Sequence, residues 1–525
     1  MKKKREDKIS GSYYTPYSIV RFMIDYLLRE QKSYQTILEP SAGDGRFLEV
    51  FQTLPGITEL TAVEIDKEKA NDLHKRYPSI PIIHSDFLHF AENAVGKFQL
   101  IIGNPPYISI KNMTDPSKEK ARAICEKYQL PTSLMQNMWV AFLLAAVSCL
   151  APGGCIFFVL PMEFLQVQYA EQIRLFLEKQ FNSIHILSFQ ERMFPEIEQD
   201  SCLVYLTNEA PRQPHILFKI FNLLDSHVPC YESRIERNKP LKKWTNAILA
   251  DEDIDFLNSF DAKYPKVSDL CDASPGIVTG ANNTFILTEK QVKDLDCQTF
   301  VLPTIPKSSM LNGKFLLTRE VIEQLGKAGK RIYLLNLSHT DPSSFSRALQ
   351  EYLRDVGEEK NAAGIKLRER YKCKDRKPWY GVPIIQNGEL FFFKRYDKFP
   401  RICVNEADAY STDIAYNMRL HHGYDRKNLA FCFYNSLTLM QCEYYGRFYA
   451  GGVSELIPSE FKSLSVPYHT IDEKDFMQLA RLFRENTEIE EIISFVNSRT
   501  IEKDYGKEEI DRLNNVRRKL MKRRR

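Results

Sequence analysis

The first 210 of the 525 residues predict a doubly wound, mostly parallel α/β sheet. Short runs rich in Val, Ile and Leu alternate with amphipathic segments, as buried parallel strands alternate with helices. The first run leads into a Gly-rich turn and a helix, and several runs end in a polar or acidic residue. From about Trp244 this alternation is lost, loops lengthen, and Pro and Asn recur. The later residues therefore predict a second, more irregular domain.

Seven strands and six helices are expected in the first region. The predicted strands are Thr36–Glu39, Thr61–Ile65, Ile80–His84, Phe98–Ile102, Cys155–Leu160, Ile184–Phe189 and Cys202–Leu206. The predicted helices are Thr15–Glu30, Arg46–Gln52, Lys67–Tyr77, Pro116–Tyr128, Asn137–Leu150 and Tyr169–Gln180. No clear helix separates the last two strands, so we expect them to form an antiparallel edge.

The stretch from Trp139 to Leu160 is almost uncharged and is close to membrane-spanning length. Its centre, Ala151-Pro152-Gly153-Gly154, predicts a helix stop and a tight turn. We therefore expect a buried helix, a turn and a buried strand, and no membrane association.

The C-terminal region has two helical patterns. Residues Asp472–Asn497 predict one amphipathic helix, and a final helical segment begins at Lys507. It ends in a basic tail, Arg517–Arg525, which we expect to be mobile, either contacting phosphate or merely aiding solubility.

Composition excludes some classes of protein. Residues are 43% hydrophobic and 12% aromatic, which excludes a disordered chain. Lys and Arg number 72 against 68 Asp and Glu, so the net charge of +4 neither requires nor excludes a polyanionic partner. The eleven Cys include no C-x-x-C pair. We expect no metal site, no disulfide framework and a cytoplasmic location.

Three strand ends carry the pattern of an adenosine-binding site. The turn Ser41-Ala42-Gly43-Asp44-Gly45 follows the first strand and lets backbone approach a ligand. Glu64 ends the second strand, where an acid accepts hydrogen bonds from ribose hydroxyls. Asp86 and Phe87 follow the third strand, where they suit an adenine amine and ring. Asp66 directly precedes a helix and is better explained as its N-cap.

The fourth strand ends in Asn104-Pro105-Pro106-Tyr107. Two prolines cannot continue a central strand, so they form a stiff turn that holds the Asn side chain and one carbonyl in fixed directions. Both are acceptors for an exocyclic amine, and Tyr107 offers a flat surface to a base.

These motifs, in this order, resemble the S-adenosylmethionine-dependent DNA adenine-N6 methyltransferases. Tyr14-Thr15-Pro16 is similar to the N-terminal cofactor motif of the family, and a catalytic region followed by a large C-terminal region is similar to its gamma arrangement, as in type II restriction-modification systems. The resemblance implies a Rossmann-like class I methyltransferase sheet, an irregular α+β target-recognition domain and a helical C-terminus. It implies domains at 1–240, 245–470 and 471–525.

The resemblance also implies roles for individual residues. Cofactor binding is expected at Thr15, Glu39, Ala42, Gly43, Glu64, Asp86 and Phe87. Asn104 and the Pro105 carbonyl are expected to hold the target amine, Tyr107 to stack on the target base, and Phe194 to pack against it. No resident metal is expected.

The segment Gly364–Arg401 mixes basic and aromatic side chains, as DNA-contacting surfaces do. We expect DNA contacts at Arg376, Lys377, Trp379 and Tyr380. The alternative is a solvated charged face over a local core.

Other functions remain open at this stage. Asn-Pro-Pro-Tyr also occurs in enzymes that methylate ribosomal RNA guanine or protein glutamine, and an RNA base methyltransferase is the main alternative. Cytosine-N4 methylation, a fused nuclease and a non-catalytic DNA-binding subunit are less favoured. The expected partner is double-stranded DNA, with a separately encoded endonuclease for the same site as a further candidate, and the enzyme is expected to act as a monomer.

Overall fold

The computed structural model describes residues 14–30, 34–52, 59–194, 200–208, 213–260, 262–449 and 452–524. The chain forms two compact units. The first comprises the described parts of Met1–Asp255, Tyr449–Gly452 and Lys519–Arg525. The second comprises the described parts of Phe256–Phe448 and Val453–Arg518.

The first unit is built on a nine-stranded mixed sheet. Its strands are β1 (Thr36–Glu39), β2 (Glu59–Glu64), β3 (Ile82–His84), β4 (Phe98–Gly103), β5 (Leu150–Pro161), β6 (Ser183–Phe189), β7 (Ser201–Thr207), β8 (His215–Phe221) and β9 (Tyr231–Glu236). Their spatial order is β3-β2-β1-β4-β5-β7-β6-β8-β9. The five strands from β3 to β5 are parallel, and β7 is antiparallel to both of its neighbours. The predicted α/β fold class is confirmed.

Helices connect these strands. They are α1 (Tyr17–Arg29), α2 (Arg46–Phe51), α3 (Lys67–Arg76), α4 (Phe87–Glu92), α5 (Asp115–Lys127), α6 (Met138–Cys149) and α7 (Glu171–Gln180). Apolar side chains of α1, α2 and α3 pack with those of the sheet in one hydrophobic core. The helix α6 is buried over nearly its whole length, as its uncharged sequence predicted. The short helix α4, which Asp86 caps, was not predicted because six residues carry too little periodicity.

The residues that follow α6 do not form the expected tight turn. Strand β5 begins at Leu150, and its pairing with β4 jumps from Leu150 to Cys155. The Pro-Gly-Gly stretch is thus an irregularity within strand β5 that shifts its pairing with β4. Gly153 in this stretch has a φ of 75°.

The far side of the sheet was only partly predicted. The pair β6 and β7 is antiparallel, as expected, but it does not form the edge. Strand β7 lies between β5 and β6, and two further strands, β8 and β9, extend the sheet. Both were missed because their helix-free connections lack the βαβ signal.

The second unit contains three small sheets. Its strands are β10 (Cys271–Pro275), β11 (Ile286–Leu287), β12 (Val301–Ile305), β13 (Leu316–Leu317), β14 (Tyr333–Leu335), β15 (Leu390–Phe393), β16 (Arg395–Tyr396), β17 (Arg401–Asn405), β18 (Tyr410–Ser411), β19 (Ala415–Leu420), β20 (Arg447–Phe448) and β21 (Ser454–Glu455). They form sheets in the orders β10-β19-β15-β17-β13, β11-β14-β12-β18 and β16-β21-β20.

The later helices complete the chain. They are α8 (Asp251–Asn258), α9 (Val267–Leu270), α10 (Asn282–Phe285), α11 (Glu289–Asp294), α12 (Arg319–Lys327), α13 (Arg347–Glu358), α14 (Arg426–Cys432), α15 (Ser436–Tyr445), α16 (Pro458–Lys462), α17 (Glu473–Arg484), α18 (Ile489–Asn497) and α19 (Lys507–Lys522). Irregular connections and several separate apolar cores agree with the predicted loss of βαβ alternation.

The predicted single helix Asp472–Asn497 is two helices, α17 and α18. Asn486 lies between them with a φ of 53°, in the left-handed region that ends helices. The amphipathic pattern continues across the break, so periodicity alone did not reveal it.

The expectation of a mobile basic tail is wrong for its described residues. Arg523 is 3% exposed, and its guanidinium donates to the Thr245 carbonyl at 2.8 Å and to Oδ1 of Asn246 at 2.5 Å. Arg524 is buried in the same unit and donates to the Gly452 carbonyl. These arginines take part in the packing of the first unit and are not solvated.

Among the described residues, no helix combines the length and the apolar character that crossing a membrane requires. The described His, Cys, Asp and Glu side chains form no group of three or more suited to a metal ion.

Candidate active site

Four adjacent parallel strands bring the predicted motifs to one edge of the sheet. In the order β3-β2-β1-β4, these strands end at His84, Glu64, Glu39 and Gly103. The carboxyl ends of parallel strands form a crevice where α/β proteins bind ligands. The structure therefore brings together side chains that are distant in sequence.

The Gly-rich turn after β1 is held by Glu64. One carboxylate oxygen of Glu64 accepts from the Gly43 amide at 2.7 Å, and the other accepts from the Asp66 amide at 2.9 Å. Gly43 and Gly45 have φ values of 58° and 83°, which side-chain-bearing residues rarely adopt. Each carboxylate oxygen retains a lone pair for a ligand hydroxyl.

A cleft at this edge contains about 780 Å³ of unfilled space, part of it open to solvent. A smaller cavity adjoins it, and Tyr14, Ser41, Gly43 and Asn104 line both. All seven predicted cofactor residues line one or the other: Thr15, Glu39 and Ala42 the smaller, Glu64, Asp86 and Phe87 the larger, and Gly43 both.

Glu39 lies at the buried end of the smaller cavity. It is 1% exposed, and its Oε2 has no hydrogen-bond partner among the residues the structure describes. Burial raises the pKa of this carboxyl well above its ordinary value, and the nearby charges of Glu64 and Asp44 raise it further. A cation in the cavity would stabilise the Glu39 carboxylate.

Asp86 and Phe87 line the larger cleft. One oxygen of Asp86 caps α4 by accepting from the Leu88 amide at 2.9 Å, and the other lies 3.5 Å from the Ser117 hydroxyl. The Phe87 ring is 2% exposed and lies 4.9 Å from the Phe142 ring centre. An acceptor beside an apolar wall suits a purine with an exocyclic amine.

These residues fit S-adenosyl-L-methionine. Glu39, as an unpartnered buried acid, suits its ammonium group, Glu64 suits its ribose hydroxyls, and Asp86 with Phe87 suits its adenine. The smaller cavity therefore suits the amino-acid end of the cofactor, and the larger cleft suits its ribose and adenine.

The Asn-Pro-Pro-Tyr turn is anchored at both ends. The Ser41 hydroxyl donates to the backbone carbonyl of Asn104 at 3.1 Å, which ties the turn to β1. The Tyr107 hydroxyl donates to the Val159 carbonyl at 3.2 Å, which ties it to β5. Burial raises the pKa of Tyr107 well above its usual value, so this phenol stays protonated and remains a donor. Asn104 lines both cavities, so its side chain lies beside the expected cofactor.

Phe194 does not line either cavity. It is 7% exposed and belongs to the hydrophobic core of the first unit, as does its neighbour Met193. Its expected contact with a target base stays a prediction.

The predicted DNA contacts lie in the second unit. The Arg376 guanidinium donates to the carbonyls of Thr279 at 2.9 Å and Val278 at 3.0 Å. Trp379 and Tyr380 are partly buried in its apolar cores. Lys377 is exposed. These four contacts also stay predictions.

Several residues that line the cleft were not predicted from the sequence. Ile65 directly follows Glu64, lines the cleft and is 65% exposed, a property that the sequence does not reveal. Lys69 lines the cleft with its ammonium 5.4 Å from the Tyr14 ring centre. Met138 and Phe142 contribute from α6, and no motif marks them.

Two sequence models of one family match this chain. The Eco57I restriction-modification methylase model matches residues 47–194, and the model of the C-terminal domain of type II methyltransferase M.Eco57I matches residues 241–501. Together they span most of both units.

Individual proteins agree with this assignment. Type II methyltransferase M.AccI of Acinetobacter calcoaceticus is 22% identical over 71% of this chain and 68% of its own length. M.XamI of Xanthomonas campestris pv. amaranthicola is 23% identical over 87% of this chain and 85% of its own length. The Type IIL restriction-modification enzyme MmeI, solved in complex with DNA, is 11% identical and shares the fold with a TM-score of 0.58 over 96% of this chain and 75% of its own. From these matches and the site described above, the chain belongs to the Eco57I family of restriction-modification methylases.

Proposed function

We propose that this protein is a site-specific DNA methyltransferase that transfers a methyl group to N6 of adenine in double-stranded DNA. The observation that carries the proposal is the position of Asn104, which follows β4 and lines both cavities of the cofactor cleft. Membership of a restriction-modification methylase family supports DNA as the substrate.

The cofactor is S-adenosyl-L-methionine, which supplies an electrophilic methyl group on a sulfonium sulfur when bound. The target amine is a poor nucleophile because its lone pair is delocalised into the purine ring. The Asn104 side-chain oxygen and the Pro105 carbonyl accept its two N–H groups, which favours a more tetrahedral nitrogen with a localised lone pair. Because Ser41 and Val159 hold the turn, these acceptors are oriented before the substrate arrives.

Adenine N6 is not accessible to this cleft within a duplex, so the nucleotide must rotate out of the helix at a cost of a few kcal/mol. Stacking on the Tyr107 ring, at about 1–3 kcal/mol per base, offsets part of that cost. The partly exposed ring and the anchored hydroxyl of Tyr107 support this role.

We further propose a cytoplasmic, monomeric enzyme that protects DNA from a separately encoded endonuclease of the same specificity. The second unit, Phe256–Phe448 with Val453–Arg518, would recognise the site. An RNA base methyltransferase is the alternative, because the same pair of acceptors suits any exocyclic amine or planar amide.

The test is modification-sensitive long-read sequencing of genomic DNA from methylation-free cells that express the protein. We expect N6-methyladenine at one short recurring sequence. Unmodified DNA from cells containing folded protein that binds S-adenosylmethionine would contradict the proposal and favour RNA.

The matched variant is Asn104→Ala. Loss of one oriented acceptor at the reacting group should lower methyl transfer by about 10²–10³-fold, as for comparable oriented hydrogen-bonding groups. Calorimetry should show cofactor affinity close to wild type, because the cofactor is bound mainly by other residues. Wild-type methylation by this variant would contradict the assignment of Asn104.

A further inference from the structure

Several basic side chains of Gly364–Arg401 are used within the second unit. Lys366 and Arg368 both pair with Glu358, at 2.7 and 2.8 Å. Arg395 pairs with Glu455 at 3.2 Å. A paired cation contributes less to the potential outside the protein than an unpaired one, so these residues are weaker candidates for binding a polyanion.

Three other lysines of this segment are available to bind a polyanion. Lys372, Lys374 and Lys377 are exposed and have no hydrogen-bond or ion-pair partner among the described residues. Tyr371 beside them is 74% exposed, and the Lys372 ammonium lies 5.1 Å from its ring centre. Residues 371–377 carry four cations and one acid, Asp375, so the segment is strongly basic.

Arg376 connects this segment to a loop almost one hundred residues earlier. Its guanidinium donates to the carbonyls of Val278 and Thr279, which follow β10. The approach is close, because a Cβ on Gly280 would lie only 2.8 Å from Cβ of Lys372. These bonds use two of the five N–H groups of Arg376, and they hold the two segments side by side.

The loop contributes amide side chains to the same surface. Asn282 and Asn283 are both exposed. The Asn282 side-chain oxygen accepts from the Thr279 hydroxyl, whereas no described residue bonds the Asn283 side chain. An available carboxamide is the group that reads adenine through its N6 and N7 atoms.

We propose that residues 278–283 and 371–377 form one DNA-reading surface of the second unit. Lys372, Lys374 and Lys377 bind backbone phosphates, Asn283 contacts a base edge, and Arg376 is a positioning residue. The inference rests on the proposed function for the choice of duplex DNA. Lysines beside a neutral amide suit a polyanion with readable edges better than they suit an acidic peptide.

The phosphate contacts are tested by titrating a random-sequence 30-base-pair duplex with full-length protein across 50–300 mM salt. Each phosphate contact contributes about 0.9 to the slope of log K against log salt. A variant that combines Lys372→Gln, Lys374→Gln and Lys377→Gln should reduce the magnitude of that slope by about 3. The control combines Lys314→Gln, Lys327→Gln and Lys330→Gln; these lysines are also exposed but lie elsewhere in the unit, so this variant should leave the slope unchanged.

An unchanged slope in the first variant, or equal losses in both, would overturn the phosphate assignment. No wild-type binding to the duplex at 50 mM salt, or preferential binding to single-stranded RNA, would overturn the choice of partner. Because binding is measured without methyl transfer, this test can fail while the proposed chemistry stands, and the reverse.

The reading role is tested on the site that genomic sequencing identifies. Asn283→Ala should lower discrimination against a singly substituted site by about tenfold to a hundredfold, with the salt slope unchanged. Arg376→Gln should also lower discrimination, and Arg376→Lys should rescue it in part. Unchanged discrimination in Asn283→Ala would overturn its contact with a base.

Discussion

Glu39 shows how a buried acid can serve binding at the expense of stability. Its carboxyl is desolvated in the folded protein, and no described residue bonds its Oε2. A group whose pKa is raised by folding contributes stability below its ordinary pKa of about 4.3, and that stability is lost as pH rises. The buried Glu39 carboxylate thus lowers the stability of the cofactor-free protein once it is ionised. The cofactor ammonium is expected to offset this cost.

We therefore expect Glu39→Gln to be at least as stable as wild type without cofactor, with an advantage that grows as pH rises above the ordinary pKa of a glutamate, about 4.3. The same variant should bind S-adenosylmethionine more weakly, because the amide carries no charge. Thermal unfolding with and without cofactor measures both effects. Glu59→Gln, at an exposed position on β2, is the control, and a destabilised Glu39→Gln at pH 8 would contradict this account.

Tyr107 has two separable parts, a hydroxyl bonded to the Val159 carbonyl and a partly exposed ring, which lines neither cavity in the described structure. Tyr107→Phe should cost about 0.5–1.5 kcal/mol of stability, the net value of one hydrogen bond, and leave methyl transfer largely intact. Tyr107→Ala should weaken binding of the extruded base by about 1–3 kcal/mol. Urea unfolding and KM for duplex DNA report the two effects, and equal KM values in both variants would argue against stacking.

At the scale of elements, the cofactor site depends on the turn between β1 and α2. Gly45 precedes α2 with a φ of 83°, and an added Cβ would lie 2.5 Å from a methyl carbon of Leu73 on α3. Two elements therefore approach each other at a residue where only glycine fits. Gly153, in the irregular part of β5, has a φ of 75°, and no atom would lie within 4 Å of an added Cβ.

Gly45 and Gly153 both have a positive φ, but only Gly45 has atoms within 4 Å of an added Cβ, so the two substitutions can be compared directly. Gly153→Ala should incur only the backbone cost, about 1–2 kcal/mol in this region. Gly45→Ala should be destabilised further, because the buried Leu73 side chain must also shift, and should lose cofactor affinity. Urea unfolding of both variants measures the difference, and equal losses would show that helix packing adds nothing at Gly45.

At the scale of the whole molecule, the C-terminal arginines belong to the packed structure of the first unit. Arg523→Ala removes the donor to the Thr245 carbonyl, and the loss of a hydrogen bond to a buried carbonyl costs about 1–3 kcal/mol. We expect a clear drop in Tm. The salt dependence of DNA binding should not change, whereas loss of a phosphate contact would lower its slope by about 0.9 with Tm unaffected.

The sequence by itself determined the first five parallel strands, the Gly-rich turn and the seven predicted cofactor residues that line the cleft. These features are local: a short apolar run sets a strand, and glycine or proline sets the turn at its end. Tertiary structure alone decided that β7 lies between β5 and β6, that β8 and β9 extend the sheet, and which basic residues of the second unit remain available. The physical reason is that pairing between segments distant in sequence, such as Arg376 with Thr279 or Arg523 with Thr245, depends on packing that no local pattern encodes.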